Sequence, residues 1–360
     1  MNRGALDQQS IRPRDYDMFA GLDVDKRSIA ATFVDHGNLI KSVKMPYDGG
    51  NLLSYTKKHF ANKRVAFVYE AGPTGYGLYD QLNASGQKCL VASPAMIPVK
   101  PGNRVKTNRL DSKKLAESLR GAQIKGIRVP KGAYRELRHL TQLRNSYIKQ
   151  IKATKCRIKA LMLFEGISFP KAPAGSQWSK KVIKRLAELE CSPSVRFKLD
   201  LLLESLEFNQ EQALKSQKEV RKLCNEDADI SDSIRYLMSI PGIGWIIASN
   251  ALARIGDWRE LKNVRELGAF FGLTPQEDST GERSNKGPIT RSGDPNLRAM
   301  LIEGAWSAIR KDAELAEFYK RIYRRHPKDR AARIAITAVA RKLTSRMYCV
   351  LKERRLYVIN

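Results

Sequence analysis

Cysteine is scarce in this chain and scattered. Its five thiols (Cys89, Cys156, Cys191, Cys224 and Cys349) stand singly, with no Cys-x-x-Cys pair and an odd total. That pattern argues against a disulfide framework and gives no zinc site. Histidine is scarcer still: the four, at positions 36, 59, 139 and 326, never stand close together. Histidine metal centres and His-driven nucleophile triads are therefore poorly supported. No run of about eighteen apolar residues occurs, so nothing is expected to span a membrane. The first 17 residues are polar and mixed in charge, which predicts no export signal and a cytoplasmic protein. Negative charge is also in short supply, with 37 Asp and Glu against 65 Lys and Arg, a formal net charge of +28.

That excess of positive charge points to a polyanionic partner, because release of counterions on binding nucleic acid is its usual reward. Solubility alone is the competing reading, but it needs far less charge. With 360 residues and 42% apolar content, the chain can fill real cores and is expected to form two or three domains.

Three short β-type runs come first: Met18–Val24 (MFAGLDV), Ser28–Val34 (SIAATFV) and 39–45 (LIKSVKM), with tight turns between them. They predict an antiparallel meander. A helix is expected over 51–60. The nearly continuous apolar run 64–69 (RVAFVY) then reads as a strand buried on both faces, with Glu70 at its end. A helix over 74–84, a second buried strand at Lys88–Ala92 and a helix over 111–121 complete the series. Three strands, helix, strand, helix, strand, helix is the order of the ribonuclease H-like fold. The segment 94–109 is rich in Pro, Gly, Lys and Arg, and its Lys100, Arg104, Lys106 and Arg109 are candidates to meet phosphate.

Helical, charged patterns follow over 134–165 and 195–225. In the second, Leu199, Leu202, Leu206, Asn209, Ala213, Ser216, Val220 and Leu223 recur at spacings of three and four, a heptad seam with polar interruptions. With 168–194 as the connection, the pair predicts an antiparallel coiled-coil arm. The remainder, from about 230, is expected to be mostly helical. The expected division is a tail (1–16), a ribonuclease H-like metal-binding domain (17–130), the arm (131–229) and a helical domain (230–360).

Acids at particular topological points carry the chemistry. Asp23 ends the first strand, Glu70 the fourth, and Asp111 starts the helix after the basic loop. In a ribonuclease H-like sheet the first and fourth strands are neighbours, so these carboxylates would converge. Like charges so close need a cation, and hard oxygen ligands favour Mg²⁺ or Mn²⁺. A pair of such ions activates an attacking oxygen and stabilises the leaving one in phosphodiester chemistry. The alternatives stay open: Asp23 and Asp111 as turn or N-cap residues, Glu70 as an ordinary strand-end acid.

Two further segments stand out. Pro241-Gly242-Ile243-Gly244 lies between helical stretches and resembles a helix-hairpin-helix turn, in which Gly242 and Gly244 would expose N–H groups to phosphate. A packing corner is the other reading. Residues 272–298 form a long polar loop holding Ser279, Thr280, Arg283, Lys286 and Arg291. There a hydroxyl could attack a phosphodiester while the bases stabilise the developing charge.

Together Gly21-Leu22-Asp23, Tyr69-Glu70-Ala71-Gly72-Pro73-Thr74-Gly75, Lys106-Thr107-Asn108-Arg109-Leu110-Asp111, Ile240-Pro241-Gly242-Ile243-Gly244, and Gly272 to Pro275 leading to Ser279-Thr280-Gly281 resemble the IS110 family of insertion-sequence transposases, related to the Piv DNA invertase. The resemblance implies a RuvC-like N-terminal domain with four acidic positions binding Mg²⁺, a coiled coil, and a C-terminal transposase domain with a serine nucleophile. It further implies donor and target DNA and a non-coding bridge RNA as partners. Assembly as dimers and tetramers, in the nucleoid-associated cytoplasm of a bacterial or archaeal cell, is implied too. Asp23, Glu70 and Asp111 match the acidic positions. Asn108 stands where the family often has aspartate; its carbonyl oxygen can still ligate a metal, with one negative charge fewer. Counting back from Ile289-Thr290-Arg291 favours Ser279 as the nucleophile; counting forward from Gly272 to Pro275 favours Thr280. The expected function is site-specific DNA recombination. A RuvC-like nuclease cutting with metal-activated water and a non-catalytic nucleic-acid-binding protein are the alternatives.

Overall fold

Met18–Val24 (β1) is the strand around which the N-terminal part of the chain is arranged. It pairs antiparallel with Ser28–Val34 (β2), which pairs antiparallel with Leu39–Pro46 (β3). After helix α1 (Gly49–His59) the strand Val65–Glu70 (β4) returns parallel to β1. After α2 (Gly77–Ala84), Lys88–Ala92 (β5) adds parallel to β4. The sheet order is β3-β2-β1-β4-β5, the mixed sheet read from the sequence. Helix α3 (Asn108–Arg120) follows. The computed structural model describes residues 9–98, 107–171, 177–277 and 286–358. The chain divides into two compact units, Met1–Val129 and Pro130–Asn360.

Within the first unit, strand alternation sorts side chains to two faces. Ala20, Leu22, Phe67 and Tyr69 enter a core completed by Leu52 of α1 and Leu78 and Leu82 of α2. Phe19, Ala66 and Val68 point the other way, against Leu115, Ala116 and Leu119 of α3. Gly21 belongs to this second face, and it has no side chain for a reason. A Cβ there would lie 2.1 Å from the Ser112 carbonyl oxygen and 2.3 Å from the Ala116 nitrogen, both backbone atoms of α3. The helix rests directly on the strand. A buried hydroxyl chain fixes its register: Thr32 of β2 bonds Ser112 at 2.7 Å and Ser42 of β3 at 3.0 Å.

The second unit opens with two long helices, α4 (Gly132–Phe164) and, after the short α5 (Lys180–Ala187), α6 (Pro193–Glu226). They run antiparallel: Arg144 Nε donates to Gln217 Oε1 at 3.1 Å, while Leu161 and Phe164 line a cavity with Lys198 and Leu202. The seam of α6 buries Leu199, Leu206, Asn209, Ala213, Ser216 and Val220 as its spacing predicts, and then Cys224 in place of Leu223. The connection expected over 168–194 holds α5, whose Val182 and Leu186 are fully buried. Only two turns long, that helix has too few apolar repeats to stand out from a Pro- and Lys-rich segment.

Helices α7 (Ala228–Met238), α8 (Trp245–Ile255) and α9 (Val264–Phe270) follow. The segment read as a long polar loop contains a hairpin instead, β6 (Pro275–Glu277) with β7 (Lys286–Ile289). Strands of three and four residues are too short to show alternation in a sequence. Helices α10 (Pro295–Ala308), α11 (Ala313–Tyr323) and α12 (Lys328–Glu353) complete the unit. Its core includes a buried ion pair, Arg346 to Asp312 at 2.6 Å, with Asp312 also capping α11 through the Leu315 N–H. Among the described residues no helix is long and apolar enough to cross a membrane.

The close approach at Gly21 yields a direct expectation. Gly21→Ala forces α3 away from the sheet and lowers the stability of the N-terminal unit by about 3 kcal/mol, the upper range for overpacking. Denaturant unfolding followed in that unit measures it, and an unchanged midpoint would mean that α3 does not rest on β1.

Candidate active site

The parallel pairing of β1 with β4 sets Leu22 beside Tyr69, so the next residues along, Asp23 and Glu70, stand side by side on neighbouring strands, about 4.8 Å apart at the backbone. Alternation directs both to the face covered by α3, because Leu22 and Tyr69 point into the opposite core. Asp111 lies in the first turn of α3, one residue before the Ser112 carbonyl that meets Gly21. Helix and strand run in opposite directions, as the bond from Asn108 to Asp25, just beyond β1, requires. The three predicted acids thus occupy one end of one sheet face. Asp23 and Asp111 are half-buried and Glu70 is exposed.

Their side chains do not close into a cage. Among the described residues no group of three His, Cys, Asp or Glu side chains is near enough to hold a metal ion. Carboxylates at such separations repel one another unless a cation compensates. The donor set itself suits a hard divalent ion: carboxylate oxygens from Asp23, Glu70 and Asp111, and an amide carbonyl from Asn108.

The surroundings hold this end of the sheet firmly. Tyr69, fully buried, donates its hydroxyl to the Gly75 carbonyl at 2.8 Å and so pins the loop that follows Glu70. Burial pushes the Tyr69 phenol far above its ordinary pKa, so it stays a neutral donor. The Ala71 N–H donates to Ala92 at 2.8 Å and secures the other side of that loop. Thr107 caps α3 by accepting from the Leu110 N–H at 3.3 Å. The sequence pattern starts this helix at Asp111; the helix begins at Asn108, which puts Asp111 inside the first turn. Arg109 is exposed beside it. Lys100, Arg104 and Lys106 lie outside the described residues.

In the second unit the two glycines of the helix-hairpin-helix-like turn behave differently. Gly242 has φ +86°, and a Cβ there would lie 2.2 Å from the Gly304 carbonyl oxygen of α10. It is a packing corner, where a contact with phosphate was expected. Gly244 caps α8 and is exposed, with open space where its Cβ would be. Among the described residues the N–H groups of the first turn of α8 remain for an anion.

Ser279, Thr280 and Arg283 lie outside the described residues, and Lys286 opens β7. The described segments on either side are tightly packed. The Thr290 N–H donates to Thr274 at 2.9 Å. Gly272 (φ +66°) and Gly293 (φ +97°) would place a Cβ 1.9 Å from the Ser292 carbonyl oxygen and 2.2 Å from that of Phe270. Between those locks Arg291 is held at φ +54°, a left-handed conformation that costs a non-glycine residue about 1 kcal/mol, and the Arg298 guanidinium donates to its carbonyl at 3.3 Å.

Two features were not read from the sequence. One is Asp25, which only the fold brings to α3. The other is the corner between α11 and α12, where Arg321, Arg324, Arg325, Lys328 and Arg330 are all exposed. The density of Arg and Lys over 320–333 was the signal available for it.

A transposase family model, DEDD_Tnp_IS110, matches residues 20–165, and the model described as Transposase IS116/IS110/IS902 family matches residues 234–320. The chain belongs to the IS110 transposase family. Transposases of this family are enzymes that cut and rejoin DNA. A Sinorhizobium fredii protein whose name carries the word transposase (y4qE) is 29% identical over 321 residues, 81% of this chain and 77% of that protein. The transposase for insertion sequence element IS1328 of Yersinia enterocolitica is 33% identical over 46% of this chain and 48% of its own length. The pilin gene-inverting protein of Moraxella bovis is 28% identical over 38% of this chain and 42% of its own.

The two glycines of the 241–244 turn separate by experiment. Gly242→Ala destabilises the second unit by about 3 kcal/mol or more, combining strain at positive φ with overpacking. Gly244→Ala costs about 1 kcal/mol or less, because its Cβ meets open space and only the poorer N-cap preference of alanine is felt. Chemical denaturation of both variants measures the difference, and equal destabilisation at the two positions would contradict the packing described.

Proposed function

We propose that this chain is a site-specific DNA recombinase that moves an insertion sequence through a covalent protein–DNA intermediate. The observation that carries the reading is the side-by-side position of Asp23 and Glu70 on parallel strands, under the helix that bears Asp111, in a segment matched by a DEDD transposase model. Asp23, Glu70 and Asp111, with the Asn108 carbonyl, would hold Mg²⁺ or Mn²⁺. When bound, such an ion neutralises charge on the scissile phosphate and on the leaving oxygen.

The chain's own groups do the rest. The Ser279 hydroxyl attacks phosphorus; a serine O–P bond forms as a deoxyribose O–P bond breaks, and the proton leaves with the sugar hydroxyl. The phosphoserine conserves the bond energy, so reversal onto another strand rejoins DNA without a high-energy cofactor. Arg283, Lys286 and Arg291 stabilise the charge on the phosphoryl oxygens. The turn at Gly244 and the basic corner between α11 and α12 offer sequence-independent contacts to the backbone. A bridge RNA from the element selects donor and target DNA, and the protein acts as a dimer that forms a tetramer on DNA. These last points rest on the family resemblance and on the charge of +28.

Trapping tests the reading. The protein is incubated with its element's ends, the flanking transcript and Mg²⁺, and protein–DNA adducts are sought in detergent gels. The adduct is expected to persist in Thr280→Ala and to vanish in Ser279→Ala. Asp23→Asn, Glu70→Gln and Asp111→Asn are each expected to lower adduct formation at least about a hundredfold. Loss in Thr280→Ala with persistence in Ser279→Ala moves the nucleophile by one residue. Free DNA ends without any adduct would replace the serine with metal-activated water.

A further inference from the structure

The turn after β1 carries a carboxylate outside the set that matched the family. The Asp25 N–H donates to the Ser28 carbonyl at 2.8 Å, a backbone bond that closes the turn into β2. Its side chain is exposed and turns toward α3, where Asn108 Nδ2 donates to Asp25 Oδ2 at 3.3 Å. An acid in such a turn ordinarily accepts from its own following backbone N–H groups. Asp35, in the next turn, does so, accepting from Gly37 at 2.8 Å and Asn38 at 2.6 Å. Asp25 makes no such bond among the described residues. Its side chain's hydrogen-bond partner there is the side chain of a residue three positions before Asp111.

Asn108 has a matching arrangement. The cap of α3 is Thr107, so the Asn108 amide is not needed to satisfy the helix end. It donates outward to Asp25, and among the described residues its carbonyl oxygen and the second Asp25 oxygen have no partner. Charge gives the arrangement a meaning. Two divalent ions bring four positive charges to a phosphodiester site; before DNA adds the single negative charge of its phosphate, Asp23, Glu70 and Asp111 supply only three negative ones.

We propose that Asp25 is a further carboxylate of the cation site, held over it by Asn108 and supplying the negative charge that a neutral residue at 108 leaves out. The proposal rests on the reading of Asp23, Glu70 and Asp111 as a cation site. Asp25 acts on a divalent ion or on its bound water through the oxygen that Asn108 does not hold.

Titration of the full-length protein with Mn²⁺, followed by calorimetry and by loss of the free-ion paramagnetic resonance signal, tests this without any DNA. Asp25→Asn keeps the shape and the backbone turn bond, and it weakens Mn²⁺ binding by about tenfold or more, the scale of an orienting partner at a metal site. Adding Asn108→Asp to that variant restores affinity to within about threefold of the original, since the charge returns across the same 3.3 Å contact. Asn108→Ala retains the charge but frees it, and gives a smaller loss. Unchanged affinity in Asp25→Asn, or no recovery in the double variant, overturns the proposal. Asp23→Asn distinguishes the two levels. If it abolishes Mn²⁺ binding while Asp25→Asn does nothing, only the role of Asp25 fails; if it too leaves binding unchanged, the cation site fails with it.

Discussion

A first side-chain carbon at position 21 would sit 2.1 Å from the carbonyl oxygen of Ser112, so α3 lies on β1 with nothing between the two backbones. Such an approach leaves no room for the helix to slide or rotate, because close-packed atoms resist displacements of even a fraction of an ångström. The Thr32–Ser112 bond, 2.7 Å long and buried, sets the remaining degree of freedom along the helix axis. Asp111 precedes Ser112 by one residue, and Asp23 follows Gly21 by two. The spacing between the two acids is thus inherited from this packing. Glu70 joins them through a different constraint, the parallel register of β1 and β4. Rigid placement of like charges is costly in itself, and the proposed cation would offset that cost.

The second unit uses the same device three times. Gly242 meets Gly304, Gly272 meets Ser292, and Gly293 meets Phe270, each through a backbone oxygen closer than any Cβ would allow. The latter two stand at the two ends of the hairpin segment that carries Ser279 and Thr280. The proposal of a nucleophile in this segment calls for flanking elements held this firmly, because a reacting atom needs a fixed approach to phosphorus. The left-handed Arg291 belongs to the same frame: a strained backbone persists only where its neighbours overdetermine it.

The sheet was legible because burial writes itself plainly in strands. The runs MFAGLDV, SIAATFV and KCLVA correspond residue for residue to β1, β2 and β5, and RVAFVY differs from β4 by one place at each end. The acids were legible as topology: a carboxylate that ends an apolar strand is conspicuous. The closeness of α3 was not, since a glycine within a strand does not reveal what lies over it. Asp25 was hidden for a related reason: in sequence it is one more polar residue in a turn, and only the fold carries Asn108 back to it across 83 positions. In the second unit the seam of α6 emerged from its period, whereas α5 and the β6–β7 hairpin were too short for any period to show. Gly242 and Gly244 look alike on the page; backbone contact with Gly304 tells them apart.

The convergence of Asp23, Glu70 and Asp111 on a divalent cation is the central claim, and crystals grown or soaked with Mn²⁺ test it most directly. Anomalous scattering at the manganese edge should give a peak at the end of β1, within about 2.0–2.4 Å of oxygens from Asp23 and Glu70 and within reach of Asp111. A map with no peak there in the presence of bound DNA, or with manganese held only by other residues, would contradict it.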